Sequence, residues 1–148
     1  MLAEGFGLRL MKPEEAAIFS DLEITERTYP WSKESFLDTL RSDTSRPLVW
    51  EGADGIIGFG VVQVVEGEAY LLNIMILPRH RRQGRGRELL SMIFDWAKSR
   101  GAERLFLDVE QTNSPALKLY EAAGLDVVGR RPHSYPGGED SIMMKKDL

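Results

Sequence analysis

The sequence predicts an α/β fold in which one mixed sheet carries helices on both faces. Three observations lead there. The middle of the chain holds β-branched and aromatic runs broken by short Gly-containing turns, the pattern of antiparallel hairpins. The later half alternates short apolar runs with segments of helical period, which implies parallel pairing there. The resulting order, β-α-α-β-β-β-α-β-α-β-β, contains no repeat, charge block or low-complexity linker, so residues 1–148 are expected to form a single domain.

Taken in order, Leu8 to Met11 is the first expected strand, stopped by Lys12-Pro13. Pro13 suits a helix start, and Glu14 and Glu15 complement its positive end. Ala16, Ala17, Ile18, Phe19 and Leu22 carry that helix to a break at Tyr29-Pro30. Ser32 can cap a second, short helix through Phe36, Leu37 and Leu40. Pro47 to Trp50 and Ile56 to Val65 form a hairpin over Gly52 to Gly55. Glu66-Gly67-Glu68 then turns the chain into Ala69 to Leu77, whose one strongly polar member is Asn73; such a run suits a strand covered on both faces. A helix from Arg87 to Arg100 places Leu89, Leu90, Ile93, Phe94, Trp96 and Ala97 on one broad face, and Gly101 ends it. Leu105 to Val109 is a strand. Ser114 as N-cap and Pro115 at the first position open the last helix, through Leu117, Leu119, Tyr120 and Ala123. Leu125 to Val128 and Ser141 to Lys145 close the chain around a Pro- and Gly-rich loop, Pro132 to Gly138.

Composition excludes several classes. With 43% hydrophobic and 28% charged residues the chain reads as a globular protein, not a disordered one. A net charge of −4 argues against a general nucleic-acid binder, so any basic site is local. There is no cysteine, hence no disulfide, thiolate metal site or cysteine nucleophile. His80 and His133 are the only histidines and lack ligand spacing, so no metal is expected. Met1 to Leu10 has no long apolar run, which points to neither a signal peptide nor a membrane span, and a cytoplasmic protein without a membrane partner is expected.

The strongest local signal is Arg79-His80-Arg81-Arg82-Gln83-Gly84-Arg85-Gly86-Arg87, five arginines between an apolar strand and a long amphipathic helix. A helix N-terminus offers unpaired N–H groups and partial positive charge to an anion. Gly84 and Gly86 let a phosphate approach the backbone, and the arginines add charge and bidentate donors. The alternative is a solvated basic turn whose glycines serve loop geometry alone. No Gly-Lys-Ser/Thr follows, so this is not a P-loop, and the Gly-x-Gly-x-x-Gly pattern of a dinucleotide site is absent.

Arg81-x-x-Gly84-x-Gly86 resembles the (Arg/Gln)-x-x-Gly-x-(Gly/Ala) pyrophosphate loop of the GNAT N-acetyltransferases. Asn113-Ser114-Pro115-Ala116 with Leu119-Tyr120-Glu121-Ala122-Ala123-Gly124-Leu125 is similar to the later motif of that family. Pro30-Trp31-Ser32, Leu72-Asn73-Ile74, Arg130-Arg131 and Glu139-Asp140-Ser141-Ile142-Met143 resemble its bacterial ribosomal-protein-alanine branch, which acetylates the α-amine of a small-subunit ribosomal protein. The resemblance implies a mostly antiparallel central sheet with helices on both faces and a parallel pair at the cofactor cleft. It implies acetyl-CoA as cosubstrate and the N-terminus of a ribosomal or other protein as the class of acceptor.

It also assigns residues. Acetyl-CoA would contact the strand at Ile74, Met75 and Ile76, the loop at Arg81, Arg82, Gln83, Gly84, Arg85, Gly86 and Arg87, and Tyr120 and Asn113 beyond it, with Asn113 alternatively, and compatibly, a cap residue. Tyr120 would protonate the departing thiolate. The base would be Asp108, where the related enzymes carry glutamate; Glu110, on the same strand face, and a water relay are alternatives. Trp31, Asn73, Arg131 and Tyr135 are candidates for the acceptor side, with Trp31 alternatively a helix anchor and Asn73 alternatively a partner for bulge or loop backbone. An α-amine, with a reference pKa of about 7.7–8.0 against about 10.4 for lysine, tolerates a weak base. A small-molecule amine acceptor and a non-catalytic CoA-binding module are the competing expectations; no direct nucleic-acid binding is expected.

Overall fold

The computed structural model describes residues 3–148; Met1 and Leu2, part of the N-terminal stretch considered above, lie outside them. The strands are β1 (Ala3–Gly5), β2 (Leu8–Leu10), β3 (Ser45–Gly52), β4 (Gly55–Val65), β5 (Glu68–Ile76), β6 (Arg104–Glu110), β7 (Asp126–Arg131) and β8 (Ser141–Asp147). The helices are α1 (Glu15–Glu26), α2 (Lys33–Arg41), α3 (Arg85–Ser99) and α4 (Ser114–Ala122), with a single 3-10 turn at Pro78–His80. One eight-stranded sheet runs in the order β1-β2-β3-β4-β5-β6-β8-β7. Every neighbouring pair is antiparallel except β5–β6.

That single parallel pair is the one the family resemblance implies, and it corrects the broader expectation of parallel pairing through the second half. The crossover through α4 does leave β6 and β7 running the same way. The last strand, β8, inserts between them and pairs antiparallel to both. Smaller differences are local. β1 precedes the first expected strand, and α3 begins at Arg85, two residues early. Asn113, rather than Ser114, caps α4: its Oδ1 accepts from the Ala116 N–H at 3.2 Å.

The two faces of the sheet bury separate cores. α1 and α2 cover one with Phe19, Phe36, Val49, Phe59, Val61 and Met75. α3 and α4 cover the other with Leu89, Leu90, Ile93, Trp96, Leu105 and Leu107 at its centre. α3 lies close because β4 carries glycine beneath it: a Cβ on Gly60 would stand 2.7 Å from Ile93 Cδ1. On Gly58 it would stand 2.6 Å from the Met75 carbonyl oxygen, too near for any side chain.

Two irregularities in β5 create the functional region. Val61 of β4 pairs with Asn73 but Val62 pairs with Leu71, so Leu72 is a bulged extra residue. The bulge reverses which side chains face which core: Ala69 and Leu71 face α3, then Ile74 and Ile76 face it, while Met75 turns to α1. In addition, β5 pairs with β6 only from Glu68–Arg104 to Leu71–Leu107. Beyond that point the strands part, leaving an open edge on β5.

Candidate active site

The geometry of the open edge follows from the ladder. The Leu77 N–H donates to the Ile57 carbonyl at 2.9 Å, and the register sets Met75 opposite Phe59. Hydrogen bonding alternates along an antiparallel pair, so Met75 and Leu77 point their backbone groups at β4 while Ile74 and Ile76 point theirs into the gap. Two arginines occupy the freed carbonyls. Arg27 donates to the Ile74 oxygen, and Arg81 Nε donates to the Ile76 oxygen at 2.9 Å. The Ile74 and Ile76 N–H groups therefore face a gap in which an extended, amide-bearing chain could pair as a further strand.

The parted strands enclose a cavity of about 410 Å³. Of the residues singled out in the sequence, Trp31, Asn73, Ile74, Asp108, Asn113, Tyr120 and Tyr135 line it. Arg131 does not; it lines an adjoining groove of about 250 Å³ with Tyr70, Leu72, Phe106 and Met143. Leu71, Leu72, Leu107 and Asp108 line both, so the two spaces adjoin. Asp108 joins them physically, since Arg131 Nη1 lies 3.5 Å from its Oδ2. Met75 is buried in the α1 core, with its backbone turned to β4.

The cavity carries three perturbed phenols, with Tyr29 pushed up chiefly by its hydrogen bond to Glu139. Tyr120 is buried on α4, and burial pushes its hydroxyl pKa up, while the Arg27 charge opposes the rise. Among the described residues its hydroxyl has no hydrogen-bond partner. Tyr135 is also pushed up, by burial first and then by the negative charges of Asp108, Glu110 and Glu139. Its ring stacks on Tyr29, with centroids 5.4 Å apart. Tyr29 in turn donates to Glu139 Oε2 at 2.7 Å and accepts from the Gly137 N–H at 2.9 Å. These contacts tie the α1–α2 connection to the β7–β8 loop across the cavity mouth. The loop's base is fixed by Asp140, which accepts from the His133 N–H at 3.0 Å and Arg130 Nε at 2.7 Å.

Sequence reasoning missed Glu23, Arg27, Tyr29 and Glu139 as parts of the site. The Glu23–Arg27 spacing carried a signal, but an i,i+4 pair of opposite charge ordinarily marks a solvated helix face. Here Glu23 is 1% exposed and accepts from Arg27 Nε at 3.2 Å and the Trp31 N–H at 3.0 Å.

The arginine-glycine loop lies outside the cavity, at the start of α3. Gly84, at φ +74°, is the N-cap, and no side chain caps the first turn, so its N–H groups stay available. A Cβ on Gly84 would meet nothing within 4 Å, and a bulky anion has room there. Gly86 serves packing: its Cβ would come within 3.2 Å of Leu119 on α4. The arginines divide their work. Arg79 donates to the Asp54 carbonyl at 2.7 Å, Arg81 is paired with Glu26, and the Arg85 guanidinium lies 5.5 Å over the Trp50 ring. Gln83, Arg82 and Arg87 are exposed.

The open strand edge can pair with an amide-bearing chain and the uncapped helix start can take an anion, beside a cavity lined by phenols and carboxylates. The Acetyltransferase (GNAT) family profile matches residues 16–125, and the chain belongs to that family, whose members transfer acetyl groups from acetyl-CoA. It is an N-acetyltransferase. Within the family it is 34% identical over 126 residues to the ribosomal protein bS18-alanine N-acetyltransferase of Salmonella typhimurium, a match spanning 83% of this chain and 84% of that one. The crystal structure of the ribosomal-protein-S18-alanine N-acetyltransferase from Escherichia coli superposes with a TM-score of 0.85 at 29% identity, over 95% of this chain and 92% of that one. Ard1 from Thermoplasma volcanium shares the fold, with a TM-score of 0.83 at 20% identity over 95% and 96% of the two chains.

Proposed function

We propose that this enzyme acetylates the N-terminal α-amine of a protein, of the ribosomal-protein-alanine type, by direct attack of the amine on the acetyl-CoA thioester. The observation that carries the proposal is the parting of β5 from β6 beyond Leu71 and Leu107. It gathers the Ile74 edge, Asp108 and Tyr120 around one cavity, in a chain whose relatives at 34% identity bear that name.

Each group then has a task. The loop from Arg81 to Arg87, with Arg82, Gln83, Gly84, Arg85 and Gly86 between, receives the pyrophosphate at the uncapped start of α3. Ile74 and Ile76 pair with the amides of the pantetheine arm and turn an N–H toward the thioester carbonyl, whose polarisation is worth about 10²–10³ in rate. Asn113 borders the same arm from α4. The amine nitrogen bonds to the carbonyl carbon as the carbon–sulfur bond breaks. Tyr120 gives its proton to the departing sulfur. Asp108 takes the proton released by nitrogen, directly or through a water shared with Glu110 and the Tyr135 hydroxyl. Trp31, Asn73, Arg131 and Tyr135 border the acceptor, and the acidic rim of Glu26, Asp108, Glu110 and Glu139 attracts a cationic N-terminus. Acetyl-CoA and nascent ribosomal proteins meet in the cytoplasm, where this activity belongs.

The test offers acetyl-CoA with alanine- and serine-starting peptides, spermidine, an aminoglycoside and free amino acids, and reads products by mass spectrometry. Acetylated alanine peptides are expected. Acetylation confined to the small amines would refute the protein acceptor, and tight acetyl-CoA binding without any product would identify a binding module.

A further inference from the structure

Arg27, the cation lining the cavity, is left without a task by the reaction scheme. It follows the last residue of α1, where its N–H still bonds the Glu23 carbonyl at 2.8 Å and the helix end favours a cation. Its guanidinium is held from behind by Glu23, the buried carboxylate that also fixes Trp31. From there Nη2 crosses to the bulged part of β5, donating to Asn73 Oδ1 at 3.2 Å and to the Ile74 carbonyl. Because a guanidinium has no acceptor, the Asn73 amide must present its oxygen to Arg27, which leaves its buried Nδ2 without a partner. Arg27, Asn73, Ile74 and Tyr120 border one cavity.

The structure assigns Arg27 as a positioning residue for acetyl transfer: its guanidinium fork, Nε on Glu23 and Nη2 on Asn73 and Ile74, holds the segment just past the Leu72 bulge, and its charge lines the same cavity as Tyr120. The assignment rests on Tyr120 acting as the acid in the proposed reaction. A fixed positive charge lining the cavity favours the developing thiolate, and it needs no reorganisation when the bond breaks. It also keeps the phenol a competent donor, against burial and against Tyr135 from the β7–β8 loop. The other titratable groups lining the cavity are Glu23 and Glu26 from α1, Tyr29 from the α1–α2 connection, and Asp108 and Glu110 from β6.

The sign of the effect is fixed. Burial raises the Tyr120 pKa and Arg27 lowers it, so removing the charge moves the ionisation to higher pH and makes the phenol a weaker acid. The experiment incorporates difluorotyrosine at position 120, which lowers the ionisation of the phenol toward the range that can be titrated, and compares Arg27→Gln and Arg27→Lys by fluorine NMR titration and by kcat against pH. For Arg27→Gln, the ionisation and the basic limb of kcat both move to higher pH, and kcat falls about 10- to 100-fold. Arg27→Lys keeps the charge and the ionisation pH but still loses rate, because an ammonium cannot reproduce the fork. Equal rate losses in both variants with an unmoved ionisation would overturn the assignment and leave Arg27 a mere support of the bulge. An ionisation that moves while the kcat limb stays put would instead remove Tyr120 as the acid, and with it the proposed mechanism.

Discussion

Replacing Tyr120 by phenylalanine separates chemistry from folding in a single atom. The ring is 8% exposed and packs between α4 and the sheet, and phenylalanine preserves that packing. The hydroxyl has no hydrogen-bond partner among the described residues, so its removal breaks no internal bond. Stability should change by less than about 1 kcal/mol. For a chain of 148 residues that is a shift in Tm of roughly 2–4 °C at most. The rate is another matter. Loss of a positioned general acid costs about 10²–10⁴ in kcat, and the KM for acetyl-CoA should hold because the phenol contributes little to ground-state binding. Release of CoA can be followed with a thiol-reactive dye, and the protein adds no background because it has no cysteine. A Tyr120→Phe enzyme that melts like the parent and turns over within twofold of it would refute the assigned role.

Three other outcomes follow from the geometry. Asp108→Asn should lower kcat by about 10²-fold and Glu110→Gln by only a few-fold, measured with an alanine-starting peptide at saturating acetyl-CoA; the reverse order would transfer the base to Glu110. Gly58→Ala drives a Cβ against the Met75 carbonyl, which belongs to the strand beside the open edge, so it should cost about 1–3 kcal/mol in urea unfolding and lower kcat as well. Glu15 is raised by burial but lowered more by hydrogen bonds from Arg9, 2.8 Å to each oxygen, and from the Lys12 N–H, for a net depressed pKa. Its contribution to stability is therefore present above the unfolded pKa of about 4.3 and lost as pH falls through the folded value. Thermal melts across that range should show the parent losing more Tm on acidification than Glu15→Gln.

The site was legible where local chemistry spells it out. The arginine-glycine loop marks the start of a helix, and the strand period sets Asp108 and Glu110 on one face, where both line the cavity. Hidden features are those decided by non-local pairing. The Leu72 bulge breaks a period of two, but Ala69 to Leu77 is almost entirely apolar and shows no alternation to break. The insertion of β8 between β6 and β7 depends on a pairing that no local pattern encodes. Ser114 and Asn113 are both good caps, and adjacent candidates cannot be ranked by propensity. Arg27 looked like half of an ordinary helix-surface pair, because nothing in α1 reveals that a freed carbonyl waits across the cavity.

The most direct test of the central claim is the position of the acetyl group on an intact acceptor. Incubated with acetyl-CoA and a small-subunit ribosomal protein beginning with alanine, the enzyme should add one acetyl group, which tandem mass spectrometry locates on the α-nitrogen of residue one. Acetylation of lysine side chains, with the N-terminus left free, would contradict the account.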